Sequence, residues 1–181
     1  MNNSLALKIG STALVAALAW APLGCKRPDK VQVQETVEEG PHLVSTVKMG
    51  DPKLETQLIS GFYGIEGNAW RWTAHQFTAV LKVPFGASQR GGALELSMTV
   101  PPVVIEKLKT ISLAASIDGK PLPPETYTQA GPYTYKRDVP AAWLTGDSVK
   151  VEFQLDKAMP PSGADARELG IVVGSLSLEP K

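Results

Sequence analysis

The chain has 181 residues, and 18 Lys and Arg balance 18 Asp and Glu, so the formal net charge is zero at pH 7. Its cations are scattered, which excludes nucleic acid as a partner, because that binding needs basic side chains clustered on phosphates. One cysteine excludes an internal disulfide, and two distant histidines form no H-E-x-x-H-type metal motif.

In chain order, the first segment is MNNSLALKIGSTALVAALAWAPLGC. One cation, Lys8, precedes an uncharged apolar run from Ile9 to about Ala21, and small residues follow. That is the layout of a secretory signal peptide, and the run is too short for a comfortable membrane span of roughly 20 residues. Leu23-Gly24-Cys25 resembles the last three positions of a bacterial lipoprotein lipobox, with Pro22 where that family carries Leu. The resemblance implies cleavage before Cys25 and acylation of its thiol. Acyl chains would then hold the protein on a membrane without spanning it, each buried CH₂ contributing about 0.8 kcal/mol. Lys26-Arg27 after the cysteine offers no Asp-type retention signal, which favours the outer membrane, periplasmic or surface side, of a diderm envelope.

Residues 25–41 read as a polar flexible tether, and a domain is expected over 42–181. That length buries a sizeable core: a domain of about 150 residues hides roughly 68–70% of its unfolded surface. FTAVLKV sets Phe77, Ala79, Leu81 and Val83 on one face, and ALELSMTV does the same with Leu94, Leu96, Met98 and Val100. TISLAASI places Ile111, Leu113, Ala115 and Ile117 inward, and SVKVEFQLD places Val149, Val151, Phe153 and Leu155. Period-two alternation predicts half-buried antiparallel strands. GIVVGSLSL begins apolar on both faces, so a more central strand is expected there.

Asp118-Gly119 suits a type I′ hairpin, which needs positive φ at both residues. Ser88–Gly92 and Pro160–Gly163 read as turns, Pro101-Pro102 as a strand stop, and VPAAWLTGD as one helical turn. Short strands and frequent turns, without a long amphipathic helix, predict an all-β antiparallel β-sandwich of about eight strands.

Three stretches, GFYGIEGNAWRWT, IDGK and PPSGADARELGIVVGSLSL, together resemble a jelly-roll-like β-sandwich domain of bacterial surface and glycan-associated proteins. The matching positions are Gly61, Phe62, Glu66, Arg71, Trp72, Asp165, Arg167, Leu169 and Gly170. The resemblance spans roughly residues 55 to 179 and implies a carbohydrate-related, non-catalytic module. A sandwich hosts many unrelated activities, so this bears on fold more than on function.

Trp70 and Trp72 lie two apart and share a strand face, with Arg71 on the other. Inward, the indoles are core; outward, they form a platform on which sugar C–H faces stack. The nearness of Trp72 to the Phe77–Val83 strand places it in the interior, while Trp70, beside Gly67-Asn68, is the candidate for ligand contact. Glu66 and Arg71 read as a ligand clamp or as structural charges. One structural arrangement pairs Glu66 with Arg167 across the sandwich mouth. Tyr133 and Tyr135, with Tyr127 and Gln129, read as hydroxyl-binding loop residues or as ordinary strand residues. The ligand-binding expectation is therefore Glu66, Trp70, Arg71, Tyr133 and Tyr135.

No nucleophile elbow or phosphate loop occurs and no cofactor is expected. The leading expectation is a lipid-anchored, extracytoplasmic binding module for glycan or another envelope component. The alternative is an assembly lipoprotein that docks an envelope protein.

Overall fold

The computed structural model describes residues 42–163 and 165–181. The expected signal peptide, tether and lipidated Cys25 lie outside the described residues. Among the described residues no helix is long and apolar enough to cross a membrane.

The described residues form an antiparallel β-sandwich of nine strands. One layer pairs β9 (Val172–Pro180) with β4 (Gly92–Val100) on one side and with β1 (Thr46–Lys48) on the other; β4 in turn pairs with β7 (Gly131–Val139). The second layer runs from β2 (Leu58–Phe62) through β3 (Arg71–Lys82), β8 (Ser148–Leu155) and β5 (Ile111–Ile117) to β6 (Lys120–Tyr127). The long β3 belongs to both layers. Arg71 and Trp72 pair with Val173 and Val172 of β9, and Gln76 to Lys82 pair with β8. This strand closes one flank of the sandwich.

The opposite flank is closed by side chains between edge strands β7 and β6. Tyr135 Oη donates to Pro123 O at 2.8 Å, and Arg137 donates to Pro123 O, Pro124 O and Glu125. Alternation builds the core as expected. Phe77, Ala79 and Leu81 of β3 are fully buried, as are Leu94, Leu96 and Val100 of β4. Phe153 joins the layers, stacking on Phe77 at 4.8 Å and meeting Tyr135 edge-on at 6.4 Å. β9 is central, flanked on both sides, which explains its doubly apolar start.

Asp118 and Gly119 have φ of 48° and 77° and close the β5–β6 hairpin as the dipeptide predicts. β6 follows the Asp118-Gly119 turn as a hairpin implies, and of the two readings of Tyr133 and Tyr135 the strand one holds, in β7; as edge strands both tolerate prolines that donate no ladder hydrogen bond. Two features differ from the expectation. The proline pair ending β4 also starts a helix, α2 (Pro102–Leu108), with Pro102 in its first turn, where a missing N–H costs nothing. Ser88–Gly92 contains one turn of helix, α1 (Ala87–Arg90), before β4 begins.

Trp72 is the third difference. In β3 the odd positions face inward, so Arg71 and Thr73 are buried and Trp72 lies half-buried at the margin of the core.

Candidate functional site

The outer face of the second layer carries a recess lined by polar side chains of three adjacent strands. Cross-strand register sets Gln76, Gln154 and Ala114 side by side on β3, β8 and β5. One step along the strands, Thr78, Glu152, Ser116 and Pro121 form a second row. Such neighbours stand about 5 Å apart across a sheet. Together the rows line an open groove of about 380 Å³. Ala114 and Pro121 give it an apolar floor, and the longer polar side chains stand around them.

Its electrostatics are mild. Lys150 Nζ lies 2.9 Å from Glu152 Oε1, and Ser116 Oγ donates to Glu152 Oε2 at 3.3 Å. The hydrogen bond from Lys150 is the main cause holding the Glu152 carboxyl below the usual carboxylate range. Glu152 is therefore an acceptor at neutral pH, beside two amides that donate and accept and two hydroxyls.

The second region is the hairpin before β3. Glu66 and Trp70 bridge each other, with Glu66 N–H donating to Trp70 O at 2.8 Å, and Gly67 and Asn68 turn the chain at φ of 56° and 54°. The Trp70 indole packs onto that turn: a Cβ at Gly67 would stand 2.9 Å from Trp70 Nε1. Trp70 is half-buried, like Trp72. Beside it an open recess of about 610 Å³ is lined by Asn68, Ala69, Gly50 and Asp51, among others.

The loop before β9 braces this hairpin. Arg167 donates to Glu66 Oε1 at 2.9 Å and holds both oxygens of Asp165, from Nε to Oδ1 at 3.0 Å and from Nη2 to Oδ2 at 2.9 Å. Its guanidinium also lies 5.2 Å from the Tyr63 ring centre. The Arg167 hydrogen bonds bring the Asp165 carboxyl down to about 2. Glu168 accepts from His75 at 2.9 Å, and Tyr63 Oη donates to Glu168 O. The cross-mouth pairing of Glu66 with Arg167 is thus present.

Arg71 lies elsewhere. It is 3% exposed and donates to Met49 O at 3.1 Å and Tyr63 O at 3.0 Å, with Glu55 at 3.4 Å. Its guanidinium is committed to backbone carbonyls inside the protein and faces no solvent. Tyr135 is fully buried, and its hydroxyl is held by Pro123. Tyr133 is half-buried, its ring tilted at 51° against Tyr127 with centres 4.7 Å apart, and its hydroxyl donates to Gln129 O. Since β9 and β4 separate β7 from β3, the tyrosines and Trp70 do not share a surface.

The groove residues Gln76, Thr78, Ser116 and Gln154 are absent from the sequence expectation. Their only signal is polarity at the outward positions of three alternating strands, and local spacing does not reveal that those strands are neighbours.

No protein-family model and no curated protein sequence matches the chain. Among solved structures it is similar to a carbohydrate-binding module described for specific mannan recognition, at 12% identity and a TM-score of 0.44, over 77% of this chain and 98% of that one. It is similar also to a domain of a multidomain xylanase from the hindgut metagenome of Trinervitermes trinervoides, at 11% identity and a TM-score of 0.41, over 75% and 96%. A third is a 4-O-methyl-α-glucuronidase with specificity for decorated arabinogalactans, at 10% identity and a TM-score of 0.44; the chain covers 18% of its length. At these identities and scores the likenesses carry no argument about function.

Proposed function

We propose that the chain is a lipid-anchored, extracytoplasmic module that binds a glycan of the cell envelope in the groove of the second layer, without chemistry. The observation that carries this reading is the pair of rows Gln76–Gln154–Ala114 and Thr78–Glu152–Ser116–Pro121. Amides, hydroxyls and one ionised carboxylate around a small apolar floor match the alternating hydroxyl and C–H surface of a sugar ring. Because the side chains stand on paired strands, little ordering is needed on binding. Glycoside hydrolysis calls for two carboxylates about 5–9.5 Å apart; the groove lining supplies Glu152 alone. The acylation of Cys25 and the export of the chain rest on the N-terminal sequence.

A second reading puts the ligand at the Glu66–Trp70 hairpin. The 610 Å³ recess lined by Asn68 and Ala69 of that hairpin, next to the half-buried Trp70, favours it. Retention of the purified protein on a panel of immobilised envelope polysaccharides tests both. The groove reading expects retention of the wild type and about tenfold weaker binding by the Gln76→Ala/Gln154→Ala double variant. Retention lost with Trp70→Ala and kept by the double variant would move the site to the hairpin. No retention on any saccharide would refute the glycan reading.

A further inference from the structure

Phe85 is 97% exposed, the largest exposure of any bulky apolar side chain among the described residues. It is not on a frayed loop. Val83 N–H donates to Asp147 O at 2.9 Å, and Ala87 N–H donates to Pro84 O at 3.1 Å. Ala87 is fully buried, and Gly91 N–H closes α1 on Ala87 O at 2.8 Å. The fold therefore holds a phenyl ring out in solvent on a braced turn, an arrangement that marks an interaction surface.

The surroundings of the ring indicate its partner. Lys82 and Arg90 flank it, both exposed and neither in an ion pair among the described residues, and they outnumber the one carboxylate of the same recess, Asp147. The half-buried Trp143 sits on the neighbouring turn, where Pro140 and Ala141 meet Gly91, and Lys120 lies 5.7 Å over its ring. The domain also receives its N-terminal segment at this end: Lys82 N–H donates to Val44 O at 3.1 Å. The chain from Cys25 to His42 reaches at most about 60 Å whatever its conformation. The described chain thus begins at the Phe85 end of β3. Aromatic rings with snorkelling cations are what a bilayer interface accommodates.

We propose that the Phe85 end of the sandwich docks on the lipid surface, Phe85 entering the headgroup–acyl boundary while Lys82 and Arg90 meet lipid phosphates. This rests on the membrane-anchored reading above. One ring is a weak contact, worth about ten- to a hundredfold in affinity. Tethering raises its effective concentration into the millimolar range, enough to set orientation. The groove on the outer face of the second layer would then lie between membrane and medium, open along the sheet.

The test uses the full chain with Phe85→p-benzoylphenylalanine, irradiated with vesicles of phosphatidylethanolamine and phosphatidylglycerol. Asn68, before the other end of β3, carries the same group as control. A lipid adduct at position 85 and none at 68 is expected. No lipid adduct at 85, equal adducts at both positions, or a protein adduct from whole envelopes in place of lipid overturns the proposal. On the same sample, the mass of the Cys25 peptide reports separately on the anchor. An acylated Cys25 without a lipid adduct at 85 refutes the docking and leaves the anchor standing. An unmodified Cys25 with the adduct does the reverse. Phe85→Ser in the full-length Cys25→Ser chain, whose fold does not depend on this exposed ring, is expected to co-sediment about tenfold more weakly with millimolar lipid; unchanged co-sedimentation counts against the proposal.

Discussion

Arg167 donates to Glu66 across 101 positions of sequence, at 2.9 Å, while gripping Asp165 with its remaining nitrogens. One guanidinium thereby ties the hairpin that opens β3 to the loop that introduces β9. All three side chains are about one-third exposed, so each pair alone contributes modestly and the geometry of the set matters more.

The acid limb of stability follows from this cluster. Asp165 is held at about 2, below its ordinary 3.8. A depressed carboxyl stabilises the fold above its unfolded pKa, and that contribution fades as pH falls from about 4 towards 2. Glu168, lowered by its hydrogen bond from His75, acts in the same direction. Melting temperatures of wild type and Asp165→Asn should differ at pH 5 and converge near pH 2. A constant gap across that range would contradict the assignment.

Arg71 is the buried counterpart. Truncation to Met leaves the carbonyls of Met49 and Tyr63 without their donor in a site that excludes water. We expect Arg71→Met to destabilise the domain by about 2–4 kcal/mol in urea unfolding. The exposed Glu55 contributes little, so Glu55→Ala should stay within about 0.5 kcal/mol. Arg71→Met protein that remains folded should bind saccharide like the wild type.

Tyr127 offers the opposite case. Its hydroxyl is buried with no hydrogen-bond partner among the described residues, and burial pushes its pKa well above the usual tyrosine range. Tyr127→Phe removes an unmatched polar atom and keeps the ring against Tyr133. Stability should be unchanged or rise by up to about 1 kcal/mol. A loss above 1 kcal/mol would mean the hydroxyl is bonded in solution.

The sandwich was legible wherever a strand has one wet and one dry face, as in β4, β5 and β8. It was less legible at the edges. Pro121, Pro123 and Pro124 in β6, and Gly131-Pro132 in β7, interrupt the alternation, and sequence does not say which strands lack an outer neighbour. Nearness to the Phe77–Val83 strand misled at Trp72: the parity of Phe77, Ala79 and Leu81 extends back to Arg71 and turns Trp72 outward, although an arginine is seldom fully buried. What decides for Arg71 is a set of backbone carbonyls from Met49 and Tyr63, distant in sequence and invisible to local spacing. The Glu66–Arg167 tie was readable as complementary charges on two loops. The groove was not, since its rows exist only once β3, β8 and β5 lie side by side.

Trp70 and Gln154 separate the two candidate surfaces by mutation. Trp70→Ala should change saccharide affinity less than about twofold and lower stability by about 1–2 kcal/mol, since a half-buried indole loses part of its packing. Gln154→Ala should weaken binding several-fold and leave the melting temperature within about 2 °C. Titration calorimetry with a retained saccharide, alongside thermal melts, reads both.

The most direct measurement is an amide chemical-shift map of the isotope-labelled protein during titration with such a saccharide. Shifts concentrated at Gln76, Thr78, Ala114, Ser116, Glu152 and Gln154 are predicted. Shifts confined to residues 66–70, or scattered over the surface without saturation, would contradict a glycan site on the outer face of the second layer.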